Sequence, residues 1–267
     1  PNTAMTDQTP VLELRWASKA FGPVQALRGV DFRVHRGEVV GLVGDNGAGK
    51  STLVKAIAGI HTLDEGEILW EGRPVSITHP NDAVELGIAT VYQDLALCDN
   101  LDVVENLFLG REQRAGGIGT ITRHLDETWM EKRTHELLEH FAVTIVNVRS
   151  EVGTLSGGQR QQVAIARSLL GEPKVVLLDE PTAALGVRQT AQVLELIKRL
   201  RDEGHGVVVI SHNLENVFEV ADRIFVLRLG QVAGDFPADE ATIDQVVAAI
   251  TGAAARGENG DRAGGER

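Results

Sequence analysis

Short apolar runs alternate with longer amphipathic segments through the middle of the chain. Four runs are rich in β-branched residues and end in glycine or polar residues: VVGLVG (39–44), IATVY (88–92), VVLLD (175–179) and VVVIS (207–211). Apolar runs of this length, without polar alternation, are typical of strands buried on both faces of a parallel sheet. The pattern therefore predicts an α/β protein whose mostly parallel sheet is flanked by helices.

The segment from Val187 to Arg201 has helical spacing instead. Its apolar residues recur every third or fourth position, and Gly204 follows as a stop signal. We expect an amphipathic helix that packs on the sheet through one apolar stripe. The residues of that stripe are Val187, Ala191, Leu194, Ile197 and Leu200.

The two ends of the chain and one internal region depart from this alternation. Residues 1–10 are polar and predict a flexible leader, and residues 252–267 have no large apolar side chain and predict a disordered tail. Residues 11–251 predict a single domain. Within it, residues from about 94 to 158 are more polar, have mostly helical patterns and contain the break RAGGIGT. This change favours a helical subdomain inserted in the α/β core.

Composition limits the possible partners and the cellular compartment. The chain has 267 residues, 43% of them hydrophobic, which is enough for a sizeable core. Its formal net charge of -12 argues against a nucleic-acid partner, because such partners are bound through basic surfaces. The single cysteine, Cys98, allows no intrachain disulfide and favours a reducing compartment. No apolar stretch approaches the ~18 residues of a membrane span, so we expect a cytosolic protein.

A glycine-rich segment follows the first apolar run. Residues 44–51, GDNGAGKS, match G-x-x-x-x-G-K-[ST] and lie between a strand pattern and a helix pattern. The glycines let backbone N–H groups surround a β-phosphate, Lys50 reaches the β- and γ-phosphates, and the Ser51 hydroxyl ligates Mg²⁺. An ordinary strand-to-helix turn with a surface lysine is the alternative. The predicted nucleotide-binding residues here are Gly44, Asn46, Gly47, Gly49, Lys50, Ser51 and Thr52.

Two carboxylates end the third apolar run. In KVVLLDEP (174–181), Asp179 and Glu180 stand where side chains of a parallel strand reach the ligand crevice. Asp179 would hold Mg²⁺ directly or through water, and Glu180 would accept a proton from an attacking water. Alternatively, both acids cap the turn at Pro181.

A second glycine-rich helix start lies at TLSGGQRQQVAIARSLL (154–170). Its N–H groups would also face an anion, yet one nucleotide needs only one such site. With this element, residues from about 11 to 235 resemble the ATP-binding cassette (ABC) ATPases, in which LSGGQ is the signature motif. In that family the signature of one subunit closes over the γ-phosphate held by the other. The signature residues that would bind nucleotide are Ser156, Gly157, Gly158 and Gln159.

The resemblance implies the remaining parts of the site and the fold. The fold would be a P-loop NTPase with a RecA-like core, an antiparallel β subdomain and a helical subdomain. Phe21 would stack on adenine, with core packing as its alternative role. Gln93 would sense Mg²⁺ and the attacking water, as a metal ligand beside Ser51 and Asp179. His212 would contact the γ-phosphate, so that the catalytic set is Glu180, His212 and Gln93.

One position departs from the family, and three segments narrow the subgroup. Gly186 stands where most cassettes have an aspartate that links the two active sites. The segments beginning at Glu180, Val91 and Ile210 resemble the ATPases of bacterial monosaccharide importers of the ribose, fructose and xylose type. Many of those carry two cassettes in tandem and this sequence has one, which implies a homodimer of identical subunits.

The resemblance also implies partners and a location. The cofactors would be ATP and Mg²⁺. The partners would be a second identical ATPase subunit, integral membrane permease subunits and, indirectly, a periplasmic sugar-binding protein. The protein would lie at the cytoplasmic face of the bacterial inner membrane as a peripheral subunit, powering import of a monosaccharide.

Three other functions stay open at this stage. A cassette of this kind could import another small solute. A small-molecule kinase would also have a phosphate-binding loop, but it would leave the Ser-Gly-Gly-Gln segment unexplained. A non-transport cassette of DNA repair or translation generally carries a long coiled coil or two linked cassettes, and no sustained heptads occur in this sequence.

Overall fold

The computed structural model describes residues 9–114 and 125–253. Residues 1–8 of the predicted leader, residues 254–267 of the predicted tail and most of the RAGGIGT break lie outside the described residues. The predictions of a flexible leader and a disordered tail are therefore not tested for those parts.

Ten strands and eight α-helices make up the described residues. The strands are β1 (Leu12–Phe21), β2 (Val24–Val34), β3 (Val39–Val43), β4 (Glu65–Trp70), β5 (Arg73–Val75), β6 (Ile88–Val91), β7 (Val175–Asp179), β8 (Gly206–Ile210), β9 (Arg223–Arg228) and β10 (Gln231–Pro237). The helices are α1 (Lys50–Ile57), α2 (Pro80–Leu86), α3 (Val103–Phe108), α4 (Glu127–His140), α5 (Gly157–Leu169), α6 (Val187–Asp202), α7 (Leu214–Val220) and α8 (Ile243–Thr251).

The larger sheet has the order β10-β9-β3-β8-β7-β6. Its five strands from β9 to β6 pair in parallel, and β10 pairs antiparallel with β9 at the edge. The four apolar runs form β3, β6, β7 and β8, which confirms the predicted parallel sheet. Carboxyl ends of parallel strands lie at one edge, so the segments that follow β3, β7 and β8 meet there.

Each central strand of this sheet is buried on both faces. In β7, Val175 and Leu177 join one apolar cluster, whereas Val176 and Leu178 join another on the opposite face. The first cluster packs against α1 and a second, antiparallel sheet of order β2-β1-β4-β5. The second cluster packs against α3, α4, α5 and α6. Side chains that alternate between two apolar layers explain the uninterrupted apolar runs.

The described chain between β6 and β7 is helical. It contains α3, α4, α5 and a short 3₁₀ turn, Val152–Thr154. Asn106, which is fully buried, donates hydrogen bonds from its amide to the carbonyls of Cys98, Leu101 and Asp102. This amide ties the loop that follows β6 to α3. The boundaries 94–158 for an inserted subdomain stay a prediction.

The predicted helix after β7 is confirmed as α6, but part of its predicted apolar stripe is wrong. Val187 is 91% exposed and Ala191 is also exposed. The buried residues begin two turns later: Val193, Leu194, Leu196, Ile197 and Leu200. The first turn of α6 meets α5, where Gln189 lies beside Gly158, and only the later turns of α6 bury apolar side chains in the core.

Candidate active site

A cleft of about 590 Å³ opens at the carboxyl ends of β3, β7 and β8. It brings together side chains that are more than 150 positions apart in the sequence, from the glycine-rich loop to the end of β8. The predicted site residues that line it are Asn46, Gly47, Gly49, Lys50, Ser51, Thr52, Gln93, Asp179, Glu180 and His212. The structure therefore gathers the metal-binding and catalytic candidates with most of the phosphate-binding loop, whereas the predicted residues Gly44 and Phe21 are not among the lining residues.

Two glycines of the loop also make room for neighbouring backbone. A Cβ on Gly44 would lie 2.2 Å from the carbonyl oxygen of Leu227, and a Cβ on Gly49 would lie 2.6 Å from that of Ala26. Both glycines have positive φ, 147° and 107° respectively. These positions thus require glycine for close packing and backbone conformation, in addition to any contact with phosphate.

Lys50 begins α1 and is buried, with 6% of its surface exposed. Its Nζ donates hydrogen bonds to the carbonyl oxygens of Gly44, at 2.6 Å, and Asp45, at 3.0 Å. Burial lowers the pKa of Lys50, and the carboxylates of Glu180, Asp45 and Asp179 oppose that shift. The ammonium is therefore held across the loop, at the floor of the cleft.

The start of α1 offers backbone donors to the same cleft. Its N-cap residue, Gly49, has no side chain that could accept from the first-turn N–H groups. Gly49, Lys50, Ser51 and Thr52 all line the cleft. Unpaired N–H groups and the positive end of the helix dipole favour an anion at this position.

The two acids at the end of β7 differ in backbone conformation. Asp179 ends the strand, whereas Glu180 has φ of 50°, in the left-handed region, and donates its N–H to the carbonyl of Ile210 at 2.9 Å. Burial raises the pKa of Asp179 and of Glu180. Their proximity to each other raises the pKa of Glu180 further, while His212 and Lys50 oppose the shift. The left-handed conformation costs a non-glycine residue on the order of 1 kcal/mol, a strain common at functional sites.

Glu180 and His212 face each other across the end of the sheet. The Nε2 of His212 lies 3.3 Å from Oε1 of Glu180. The geometry does not make a hydrogen bond, and Oε1 is buried with no hydrogen-bond partner among the described residues. A buried acceptor without a donor marks a place where a ligand or a water is needed.

The donor set fits Mg²⁺. Ser51, Gln93 and Asp179 present a hydroxyl, an amide and a carboxylate to one cleft. Mg²⁺ prefers oxygen ligands, and it is usually held by one or two protein carboxylates together with waters and substrate phosphates. In residues 9–114 and 125–253, no group of three or more His, Cys, Asp or Glu side chains forms an all-protein metal cage. This sparse set is the kind that needs a phosphate to complete it.

The signature residues lie elsewhere. Ser156 is the N-cap of α5: its Oγ accepts from the N–H of Gln159, and its own N–H donates to Oε1 of Gln159. A Cβ on Gly158 would lie 2.8 Å from Cβ of Gln189 in α6, so Gly158 allows close contact between the two helices. The signature residues Ser156, Gly157, Gly158 and Gln159 are not among the residues that line the cleft.

Phe21 ends β1, two residues before the first residue that lines the cleft, and is not itself a lining residue. Its side chain is 45% exposed, so the alternative of core packing is wrong. Pro23, in the turn after β1, and Val24, which begins β2, line the cleft. An exposed aromatic ring beside a phosphate-binding cleft can stack on a planar base.

Sequence reasoning missed part of the cleft wall. Its remaining lining residues come from β2, β8 and the β9–β10 turn, including Val24, Ala26, Arg28, Ile210 and Leu229. Val24 and Leu229 are 62% and 63% exposed. No local motif marks these residues, because only the packing of the two sheets places them beside the loop.

A second, smaller cleft of about 270 Å³ lies between β6, α3 and α5. Arg167 of α5 lines it and donates to the carbonyls of Ala96, at 2.8 Å, and Leu95, at 3.0 Å. Burial lowers the pKa of Arg167, and Arg111 lowers it further. In the described part of the chain neither arginine forms an ion pair with a carboxylate.

None of the helices in the described residues has the length and apolar character needed to cross a membrane.

Comparison with known proteins agrees with this geometry. The sequence pattern of the ABC transporter family matches residues 27–183. The chain is 48% identical over 248 residues to a fructose import ATP-binding protein of Rhizobium meliloti, covering 92% of this chain and 95% of the relative. It is 44% identical to a xylose/arabinose import ATP-binding protein of Sulfolobus acidocaldarius, covering 90% and 94%.

A ribose import ATP-binding protein of Escherichia coli O157:H7 is 42% identical over 92% of this chain, but the match covers 47% of that relative. The chain thus spans about half the length of this ribose relative and nearly all of the other two.

Solved structures give the same result. A crystal structure of an ATP-binding cassette of an ABC transporter in its ADP conformation has a TM-score of 0.76 at 26% identity, covering 91% of this chain and 95% of that one. A dimeric cassette in a post-hydrolysis state, bound to ADP and Pi, has a TM-score of 0.70 at 27% identity, covering 85% and 98%. The resemblance predicted from the motifs is confirmed: the chain belongs to the ABC transporter family, as an ATP-binding cassette with the P-loop fold.

Proposed function

We propose that this chain hydrolyses ATP to power a membrane importer of a monosaccharide, and that it acts as a dimer of identical subunits. One observation carries the proposal. The cleft that holds Lys50, Glu180 and His212 brings most of the phosphate-binding loop together with all the predicted metal-binding and catalytic residues. The named relatives, which import fructose, xylose or arabinose, and ribose, support a monosaccharide as the transported solute. Another small solute is the alternative.

The residues of the cleft have separate roles in hydrolysis. The phosphates of ATP bind over the start of α1, where Lys50 and the backbone N–H groups meet their negative charge. Ser51, Asp179 and Gln93 would hold Mg²⁺, which would supply positive charge to the phosphates. Glu180 orients and deprotonates the water that attacks the γ-phosphoryl group in line. Its raised pKa suits a general base, because that brings its pKa closer to the operating pH.

His212 and the partner subunit complete the surroundings of the γ-phosphate. His212 lies beside Glu180 and contacts the transferred group. Because Ser156 and Gly158 do not line the cleft of their own chain, the signature of a second copy closes over the nucleotide. A solved relative that is dimeric with ADP and Pi bound supports a dimer as the acting form. ATP binding then closes the dimer, and hydrolysis reopens it.

The smaller cleft is the proposed contact with the permease. Tyr92 and Asp94, the two neighbours of Gln93 in the sequence, both line it, and residues of α3 and α5 border it. Arg111 and Arg167, which lack acidic partners in the described residues, suit an acidic side chain of the permease. Dimer closure would thus move the permease through this groove. The protein would lie at the cytoplasmic face of the inner membrane, and a periplasmic binding protein would deliver the sugar.

A complementation experiment tests the composite site. One variant carries Lys50→Ala, and the other carries Ser156→Asp, which keeps a good N-cap for α5 but places a negative charge against the γ-phosphate. Ser156→Asn is the matched control, because it keeps the cap without the charge. A Gly158 variant is less suitable, since any side chain there meets Gln189 within the same chain.

Lys50→Ala alone and Ser156→Asp alone should each be inactive. Co-expressed, about half of the dimers are heterodimers, and in each heterodimer one site has an intact loop and an intact signature. Activity should return to roughly a quarter of the wild-type value if the sites act independently. If verified heterodimers show no activity and trap no ATP, the composite site is wrong. One trapped ATP per heterodimer supports it.

An uptake experiment tests the transported solute. Cells that carry Glu180→Gln in place of the native chain are tested for uptake of fructose, xylose, arabinose and ribose. Loss of uptake of one of these sugars supports monosaccharide import. Normal uptake of all of them, with loss of uptake of another solute class, would support the alternative instead.

A further inference from the structure

The loop between α1 and β4 holds the end of β1 in place. Asp64, at the end of this loop, accepts the N–H of Ala20 at 2.7 Å through Oδ2 and the Nζ of Lys19 at 2.7 Å through Oδ1. Its own N–H donates to the carbonyl of Ser18 at 2.9 Å. These bonds fix the three residues that precede Phe21, and hydrogen bonds from Lys19 and Ala20 lower the pKa of Asp64.

The same loop also contacts the ring of Phe21. The imidazole of His61 and that ring form a T-shaped pair, with the centroids 5.0 Å apart and the planes at 69°. Lys19 Nζ lies 5.7 Å from the ring centroid. An edge-to-face arrangement is favoured by the opposite polarity of ring edge and ring face. Phe21 is 45% exposed, so the contact with His61 is one of the few that restrict the orientation of its ring.

The backbone of His61 is fixed to the phosphate-binding helix. The N–H groups of Ile60 and His61 both donate to the carbonyl of Lys55, at 2.8 and 3.2 Å, in the last turn of α1. Lys50 begins that helix. One short element thus carries phosphate-binding groups at one end and the support of Phe21 at the other.

We propose that His61 is a positioning residue for nucleotide binding, which holds the ring of Phe21 in the orientation that stacks on the base. The inference rests on the proposed function of Phe21 as the base platform. His61 acts through Phe21 and is not among the residues that line the cleft. When the edge contact is lost, the exposed ring reaches other rotamers, so the base loses its platform while the phosphate contacts remain.

Binding measurements distinguish contacts with the base of ATP from contacts with its phosphates. His61→Ala is titrated with Mg-ATP and with magnesium tripolyphosphate, which has no base. We expect ATP affinity to fall by about 3- to 10-fold, in line with the worth of one aromatic pair, and tripolyphosphate affinity to stay unchanged. His61→Phe should restore ATP affinity because it keeps a ring edge. His135→Ala, which removes an exposed histidine of α4, is the matched control and should bind both ligands normally.

A cycle with Phe21→Ala distinguishes failure of this inference from failure of the proposed platform. If His61 acts through Phe21, the double variant should bind ATP as weakly as Phe21→Ala alone. If Phe21→Ala leaves the ratio of ATP to tripolyphosphate affinity unchanged, the platform itself is wrong. If Phe21→Ala changes the ratio and His61→Ala does not, only the role of His61 is overturned. Equal loss of both ligands in His61→Ala also overturns it, because that would show damage to α1.

Discussion

Replacing Glu180 by glutamine should stabilise the protein while stopping its turnover. The carboxylate stands at the end of β7, where burial and Asp179 raise its pKa and Oε1 has no hydrogen-bond partner in the described chain. A raised pKa means that the folded protein disfavours the charged form. Glutamine keeps the size and shape of the side chain and removes that charge.

The expected gain in stability is small, whereas the expected loss of turnover is large. An unsatisfied buried polar group costs about 1–3 kcal/mol, and more when it is charged. The Glu180 side chain keeps 17% of its surface exposed, and the amide also lacks a partner, so we expect a gain of about 1 kcal/mol in the free energy of unfolding. For a chain of this size that is roughly 2–4 °C in Tm. Loss of a general base should lower kcat by about 10²- to 10⁴-fold.

Three measurements test this prediction. Thermal unfolding without nucleotide gives the change in Tm, steady-state hydrolysis gives kcat, and ATP titration should show unchanged affinity, since Lys50 and the loop are intact. Glu195→Gln is the control, because it removes one exposed carboxylate and should leave both stability and turnover unchanged. A Tm at or below the wild-type value would refute the cost of the buried charge at Glu180, and a kcat within tenfold of wild type would refute its role as the base.

Three further changes follow from the same structure. Gly158→Ala should lower the free energy of unfolding by about 1–3 kcal/mol in urea titrations, because its Cβ would lie 2.8 Å from Cβ of Gln189; wild-type stability would contradict this packing. Gly186→Asp should fold normally, since Gly186 has an extended backbone, and should change the Hill coefficient of hydrolysis more than the maximal rate; an unchanged coefficient would make Gly186 a tolerated turn residue. Burial raises the pKa of the half-buried Asp222, so the folded protein keeps that proton to higher pH than the unfolded chain, and wild-type stability should fall as pH rises from 3.8 through the raised pKa. Asp222→Asn should remove this fall, and identical pH profiles of Tm would refute it.

Local sequence signals predicted the central part of the fold and the floor of the site. The strand before the loop, Lys50 at the start of α1 and the acids at the end of β7 are each encoded by adjacent residues. A strand buried on both faces has an uninterrupted apolar run, and a helix start has a characteristic order of neighbouring residues, so both can be recognised in the sequence. The error at Val187 has the same origin, because periodicity indicates which face of a helix is apolar and not which of its turns the core covers.

The sequence by itself determined the family, the parallel sheet and the side chains that would meet phosphate, metal and water, since each of these depends on contiguous residues. Only the tertiary structure decided that Gly44 and Gly49 must pass close to neighbouring backbone, that Leu229 lines the cleft and that His61 supports Phe21. It also decided that the signature stands apart from the cleft of its own chain. These contacts join residues 20 to 200 positions apart, and such distances are set by how sheets and helices pack, which no local pattern records.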